Sequence, residues 1–192
     1  WRIYKYLRQN KKKVIKNYIL KYFPQAKIET FSKTGLKFKL PTKKPRKLKM
    51  AYIAELDAVY APSHFHADKV SGAAHNCGHY SQIGIALAMF RALIENNNYE
   101  DFDFEIGFVF TPAEEYLDLD YREELRLKGD IVYYGGKPEA MRQGIFDEFD
   151  FAIATHSTNG EFSKRTIEVN SNLAGFLYKK YTFIGQASHA GF

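Results

Sequence analysis

A cysteine and a histidine two residues apart form the first pair in this sequence that could bind a metal. Cys77 and His79 close a long loop rich in small residues, and Gly78 between them lets the backbone turn so that both side chains can face one point. Thiolate and imidazole are both good ligands for a divalent transition metal. A buried, inert cysteine beside a helix-capping histidine explains the pair equally well, because free cysteines are often small apolar core residues.

Two further groups of polar residues directly follow apolar segments. Glu114 and Glu115 come after residues 102–110, and His156 comes after residues 151–154. At the carboxyl end of α/β strands such residues lie where active sites form. One glutamate could bind a metal while its neighbour reaches a water molecule. The alternatives are acids favoured by a helix dipole and an ordinary histidine at a strand end.

The elements that must position these residues follow from hydrophobic periodicity. Alternating patterns predict strands, and patterns with a spacing of three to four residues predict helices. The predicted helices span residues 3–23, 79–96, 121–127 and 138–143, and the predicted strands span residues 26–31, 36–40, 48–56, 102–110 and 151–154. The helix at 79–96 is apolar almost all round and is expected to be buried, as is the strand at 151–154. This order indicates an α/β fold, a layered domain with helices on a mixed sheet.

Composition and charge exclude several classes of protein. The 192 residues are 45% hydrophobic and 26% charged, which is typical of a globular chain. No run of about 18 apolar residues is present, so no membrane span is expected. A single cysteine cannot form an intrachain disulfide, which favours a reducing compartment such as the cytoplasm. Of the 28 Lys and Arg residues, 17 lie in residues 1–50, beside one acid, Glu29. Binding of nucleic acid by residues 1–50 is therefore a weaker alternative hypothesis.

The order of motifs along residues 48–192 resembles the aminoacylase/carboxypeptidase metallohydrolases. More narrowly, it is similar to their amidohydrolase branch, which includes hippurate hydrolase, indole-acetyl-amino-acid hydrolase, N-acetyl-diaminopimelate deacetylase and aminobenzoyl-glutamate hydrolase. The motifs are ELDA at 55–58, GAAHNCGH at 72–79, TPAEE at 111–115, PEAM at 138–141, DFA at 150–152 with His156, and GQASHAG at 185–191. Tyr80 and Tyr116 depart from the usual pattern, since relatives have Asp or Asn at the first position and often Gly at the second.

The resemblance implies a role for each matching residue. Cys77, His79, Glu115 and His156 would bind two divalent metal ions, which could be Zn, Mn, Co or Ni. A metal-activated water would attack an amide of an N-acyl amino acid or small peptide-like substrate. The catalytic residues would be Glu114 as general base and His189, which polarises the amide carbonyl, and Asp57 would orient a ligand from behind.

The resemblance also implies how the chain is organised. Residues 1–170 would form the N-terminal part of a catalytic domain, and residues 171–192 the start of an α+β lid domain through which the protein forms a homodimer. The family's last histidine ligand would lie beyond residue 192, so we expect a fragment of a longer protein that can be inactive alone. A non-catalytic metal- or ligand-binding remnant of the fold is the alternative. No membrane or nucleic-acid partner is expected.

Overall fold

The computed structural model describes residues 2–43, 45–157, 164, 166–169, 179, 181 and 183–186, with side chains from Lys11 onward. The chain divides into two units, Trp1–Thr158 and Asn159–Phe192. Every helix and strand of the described residues lies in the first unit. The predicted boundary between residues 170 and 171 falls outside the described residues and stays a prediction.

The described residues of the first unit form four α-helices, a short 3₁₀ helix and seven strands. The helices are α1 (Arg2–Tyr22), α2 (His79–Asn96), α3 (Leu119–Leu127) and α4 (Gly136–Arg142), with the 3₁₀ helix at Asn98–Asp101. The strands are β1 (Glu29–Phe31), β2 (Gly35–Lys39), β3 (Leu48–Glu55), β4 (Val59–Tyr60), β5 (Ala73–Ala74), β6 (Phe104–Thr111) and β7 (Phe151–Ala154).

Five of the strands form one mixed sheet in the order β1-β2-β6-β3-β7. β1 and β2 form an antiparallel hairpin, and β2 continues antiparallel to β6. β3 is parallel to both β6 and β7, so the chain crosses from β3 to β6 through α2. β4 and β5 form a separate antiparallel pair in the long loop before α2.

Helices cover both faces of the sheet. On one face, α1 and α2 pack against alternate strand residues, with Ile19, Phe38, Phe90 and Phe108 at most 1% exposed. On the other face, Ala140 of α4 packs with residues that include Ala51, Val109 and Ile145. The predicted α/β fold of helices on a mixed sheet is therefore confirmed.

Two expectations about burial are wrong. α2 buries one face, formed by His79, Gln82, Ala86, Phe90 and Leu93, whereas Ile85 on its outer face is 45% exposed. The outer face contains small residues such as Gly84 and Ala88, which are not polar and yet are exposed to solvent. The sequence pattern of α2 is therefore apolar on this face as well. β7 has the predicted bounds, but all four of its residues are exposed, and among the described strands it pairs with β3 alone, at one edge of the sheet.

In the described part of the chain, none of the helices combines the length and the apolar character that crossing a membrane requires.

Candidate metal centre

Three parallel strands bring the candidate residues to one edge of the sheet. Glu55, the last residue of β3, is paired in register with Thr111, the last residue of β6. Ala154 at the end of β7 is paired with Ile53 of β3. Since the carboxyl ends of parallel strands meet at the same edge, the residues that follow them also converge: Asp57, Glu114, Glu115 and His156.

Gly78 allows the loop before α2 to approach the end of β7. Its φ of 102° is in a region that side chains rarely adopt. A Cβ atom at this position would lie 2.3 Å from the Ser157 hydroxyl oxygen. Glycine is therefore required both for the backbone conformation and for the space, and it places Cys77 and His79 on either side of this contact.

Cys77, His79 and His156 form a group whose potential ligand atoms all lie within 4.8 Å of one another. The Cys77 sulfur is 4.0 Å from Nε2 of His156. The rings of His79 and His156 are 6.0 Å apart and nearly perpendicular, at 83°. These three residues come from the loop before α2, from its first turn and from the end of β7, so their meeting depends on the whole sheet.

A second group shares His79 and adds the carboxylates of Glu55 and Glu114. Nε2 of His79 lies 3.0 Å from Oε2 of Glu55 and 3.8 Å from Oε2 of Glu114. The Lys137 ammonium contacts Oε1 of Glu55 and lies 3.7 Å from Oε1 of Glu114. Gln82 of α2 donates to Oε2 of Glu55 at 3.1 Å. The buried Glu55 is thus held by three different partners.

Asp57 connects the start of α2 with the two adjacent glutamates. Its Oδ1 lies 3.3 Å from Nδ1 of His79, and its Oδ2 accepts a 2.7 Å hydrogen bond from the backbone N–H of Glu115. Asp57 is 3% exposed. Nδ1 of His79 also lies 3.3 Å from the Asp57 carbonyl oxygen, its hydrogen-bond partner. Asp57 thus fixes the orientation of the imidazole and leaves Nε2 directed toward the cluster.

Glu115 lies between the cluster and α3. Its carboxylate lies near the Cys77 thiol and raises the pKa of that thiol, although Glu115 belongs to neither of the two groups of potential ligands. Its backbone carbonyl accepts a hydrogen bond from the buried Arg122. Arg122 also donates to the Tyr134 carbonyl at 2.9 Å. Arg122 thus fixes the backbone of the TPAEE segment from behind.

Gly136 packs α4 against this same segment. Its N–H donates to the Ala113 carbonyl at 3.0 Å, and a Cβ at position 136 would lie only 1.5 Å from the Pro112 carbonyl oxygen. No side chain fits in that space. The close approach sets Lys137, the next residue, beside Glu114.

The cluster has an excess of negative charge, and its carboxylates raise the pKa values of neighbouring side chains. Burial, a hydrogen bond to Glu115 and the surrounding carboxylates together raise the pKa of Cys77 to about 12. Burial opposes the charged form of His79, but the Asp57 and Glu55 carboxylates outweigh it and raise the pKa of His79 to about 10. Burial and the charge of Glu55 raise the pKa of Glu114.

The donor set fits a divalent transition metal. Ligand atoms bound at 2.0–2.3 Å around one tetrahedral ion lie roughly 3.5 Å apart, close to the 4.0 Å between Cys77 and His156. Thiolate and imidazole favour Zn²⁺ or a similar ion over Mg²⁺ or Ca²⁺. A dication would also offset the excess negative charge and deprotonate the thiol.

The structure brings together the predicted residues that it describes. Cys77, His79 and His156 form one group, Glu115 contacts Cys77, Glu114 lies near His79, and Asp57 lies behind His79. Their assigned roles stay predictions. His189 lies outside the described residues.

Sequence reasoning gave no role to Glu55, Lys137, Gln82 or Arg122. A signal for Glu55 existed, since a carboxylate ends an apolar strand two residues before Asp57. A signal for Lys137 is the Gly135-Gly136 pair before it, because adjacent glycines often mark a close approach between two backbone segments. Gln82 and Arg122 lie on helices, where their periodicity gives no sign of a partner elsewhere in the chain.

Solved structures with a similar fold were found. The YXEP protein of Bacillus subtilis, described as a dinuclear metal-binding peptidase of the M20 family, is 19% identical with a TM-score of 0.58, over 78% of this chain and 37% of that one. A putative aminohydrolase of methicillin-resistant Staphylococcus aureus is 21% identical with a TM-score of 0.58, over 77% and 35%. The chain thus spans little more than a third of the length of these two proteins.

At the level of sequence, a search of curated proteins found no match to the chain. Residues 51–175, by contrast, match the peptidase family M20/M25/M40. That match contains the ELDA, GAAHNCGH and TPAEE segments together with His156, which are the parts of the chain that meet at the sheet edge. It covers more than half of the chain, and the chain therefore belongs to the peptidase family M20/M25/M40.

Proposed function

We propose that this chain is the N-terminal part of the catalytic domain of a two-metal amidohydrolase. Its substrate would be an N-acyl amino acid or a small peptide-like amide. The observation that carries the proposal is the meeting of Cys77, His79 and His156 within 4.8 Å, beside Glu114, in a chain of this peptidase family. The description of YXEP as a dinuclear metal-binding peptidase supports the metal requirement.

The metal ligands in this proposal are Cys77, His79, Glu115 and His156. Divalent ions held there would lower the pKa of water and polarise a carbonyl oxygen. Asp57 keeps His79 oriented through Nδ1, which leaves Nε2 for the metal. Arg122 holds the Glu115 backbone in place, so that the Glu115 carboxylate remains near Cys77.

Glu114 is proposed as the general base. Its side chain is 32% exposed, so substrate and water can reach it, and its partial burial and the nearby carboxylates raise its pKa. A carboxylate with a raised pKa is a better proton acceptor near neutral pH. Glu114 would take a proton from the attacking water and return it to the amine nitrogen as the amide C–N bond breaks.

The remaining parts of the proposal concern the segment after residue 170. We propose that His189 donates a hydrogen bond to the oxygen of the amide carbonyl, where negative charge develops. Residues 171–192 would begin a lid domain through which two subunits form a homodimer.

The direct test is hydrolysis of N-acyl amino acids by the full-length protein that contains this chain, loaded with Zn²⁺, Mn²⁺ or Co²⁺. We expect metal-dependent activity that a chelator abolishes. Glu114→Gln should lower kcat by about 10²–10⁴-fold while the metal content measured by mass spectrometry stays unchanged. Cys77→Ser should lower both the metal content and the activity.

Two results would contradict the proposal. If the protein binds no divalent ion and the Cys77→Ser variant keeps full amidase activity, the metal-dependent mechanism is wrong. A protein that binds metal through Cys77 but hydrolyses none of these amides would favour the alternative, a non-catalytic metal-binding member of the fold.

A further inference from the structure

A cavity of about 840 Å³ lies beside the loops of the candidate metal centre. We call it the loop pocket. Its lining includes six cationic or aromatic side chains: Lys11, His64, Phe65, His66, His75 and Tyr80. None of these residues belongs to the two metal-binding groups. The loop pocket is thus lined both by the His64-Phe65-His66 segment and by Lys11 of the basic helix α1, neither of which has a role in the metal centre.

The loop pocket is built from the same loops as the metal centre. Ala58, which lines it, directly follows Asp57, and the lining residues His75 and Asn76 directly precede Cys77. Lys11 of α1 donates a 2.9 Å hydrogen bond to the Leu56 carbonyl. A ligand that extends from the metal centre along these loops would therefore enter the loop pocket.

The walls of the loop pocket combine flat rings with hydrogen-bond donors. The rings of Phe65 and His66 are 3.9 Å apart, and Phe65 lies 4.8 Å from His64. Tyr80 and His75 contact each other edge to face, with ring centroids 6.5 Å apart. The Lys11 ammonium and the Asn76 amide supply polar donors on the same lining. Flat rings favour a flat apolar group, and the donors favour an acceptor attached to it.

The acidic residue of the lining is engaged in its own turn. Asp68 Oδ1 accepts 2.7 Å hydrogen bonds from both the N–H and the hydroxyl of Ser71, and a 3.2 Å hydrogen bond from the N–H of Val70. These hydrogen bonds lower the pKa of Asp68 and hold its charged carboxylate within the turn. The ammonium of Lys11, on α1, is the group of the lining that would attract an anion.

We propose that the loop pocket is a specificity subsite for a carboxylate carried on a flat apolar group, in the part of the substrate away from the amide that is cleaved. This inference rests on the proposed function in one respect, namely that the ligand of the loop pocket is part of the substrate. The binding of such a group can nevertheless be measured without any hydrolysis.

The test compares the fluorescent acid 2-naphthoate with its neutral amide, 2-naphthamide, by titration of the metal-loaded protein. We expect the acid to bind about tenfold more tightly. Lys11→Met and Lys11→Gln should each reduce this preference by about fivefold or more, because both remove the ammonium. Lys13→Met is the matched control, since Lys13 is an exposed lysine of the same helix outside the lining. It should leave the preference unchanged.

Every outcome of the titration decides the question. Equal binding of acid and amide overturns the inference, as does a preference that survives Lys11→Met and Lys11→Gln, since the carboxylate would then be bound to the metal. An equal loss in Lys13→Met overturns it in favour of overall basicity. If Lys11→Met fails to fold, Lys11→Gln decides alone, because its amide can still donate to the Leu56 carbonyl. A selective loss without hydrolysis of any amide supports the subsite and contradicts the proposed function, so the two failures are distinguishable.

Discussion

At the scale of single residues, the protonation of Cys77 and His79 determines how metal binding depends on pH. With pKa values of about 12 and about 10, both groups hold a proton at pH 7–9 in the metal-free protein. Each must release that proton to act as a ligand. Metal ions and protons therefore compete for these two side chains.

We predict that the apparent affinity for Zn²⁺ rises about a hundredfold per pH unit between pH 7 and 9, since two protons are released for each ion bound. Calorimetric titrations in two buffers with different ionisation enthalpies would count these protons. Cys77→Ser should release one proton fewer and give a slope of about tenfold per pH unit, because a serine hydroxyl keeps its proton. A pH-independent affinity would show that Cys77 and His79 are not the ligands.

The residues that the sequence predicts and those that it misses differ in how their contacts arise. Cys77, His79 and Glu114 lie in short motifs whose residue types alone indicate chemistry. Lys137 reaches Glu55 across 82 positions of the chain, and this contact depends on α4 packing against the TPAEE segment. Hydrophobic periodicity predicts which face of a helix or strand is buried. It does not predict which residue of another element contacts that face.

At the scale of elements, α4 is held against the TPAEE segment by a backbone contact that excludes side chains. Gly136 needs the space that a Cβ atom would occupy, 1.5 Å from the Pro112 carbonyl oxygen. We predict that Gly136→Ala lowers the free energy of unfolding by about 2–4 kcal/mol or displaces Glu114 enough to reduce activity. Urea denaturation followed by circular dichroism measures the first effect, and kcat the second.

The matched control for this change is Gly84→Ala in α2. A Cβ at Gly84 has no heavy atom within 4 Å, and alanine favours a helix over glycine by about 0.8–1.0 kcal/mol. Gly84→Ala should therefore leave the protein equally stable or slightly more stable. Equal effects of the two substitutions would argue against the close packing of α4.

Element bounds were predicted better than element burial. α2 spans the predicted residues 79–96, and β7 the predicted residues 151–154. The apolar residues of β7 predicted a buried strand, yet β7 lies at an edge of the sheet that the described strands form, and Ile153 is 46% exposed. Hydrophobicity sets where a strand forms, whereas its place in the sheet depends on the pairing of distant segments.

At the scale of the whole molecule, part of the charge asymmetry of the sequence is offset by ion pairs within the first unit. Basic side chains of residues 1–50 form ion pairs with acids of the remaining chain: Lys33 with Asp130 at 2.5 Å, Lys37 and Lys39 with Glu148, and Arg46 with Glu100 at 3.7 Å. Ion pairs on a surface contribute only about 0–1 kcal/mol each. None of these four basic residues lies in α1, which instead contributes Ile15 and Ile19 to the hydrophobic core.

Ile19 distinguishes a helix that is part of the core from a basic arm that binds nucleic acid. Ile19 is 0% exposed between α1 and the sheet, whereas Val14 on the same helix is 65% exposed. We predict that Ile19→Ala lowers the free energy of unfolding by about 2–5 kcal/mol, because it leaves a cavity in the core. Val14→Ala should change it by less than about 0.5 kcal/mol.

Urea denaturation of both variants and salt-dependent retention on heparin measure the two roles separately. A core role for α1 requires the large difference between Ile19→Ala and Val14→Ala, with retention that is weak and equal in both. A steep dependence of retention on salt, together with an Ile19→Ala variant as stable as the parent, would instead identify residues 1–50 as a nucleic-acid-binding arm. Because one buried isoleucine contributes more than several exposed ion pairs, we expect the core role to prevail.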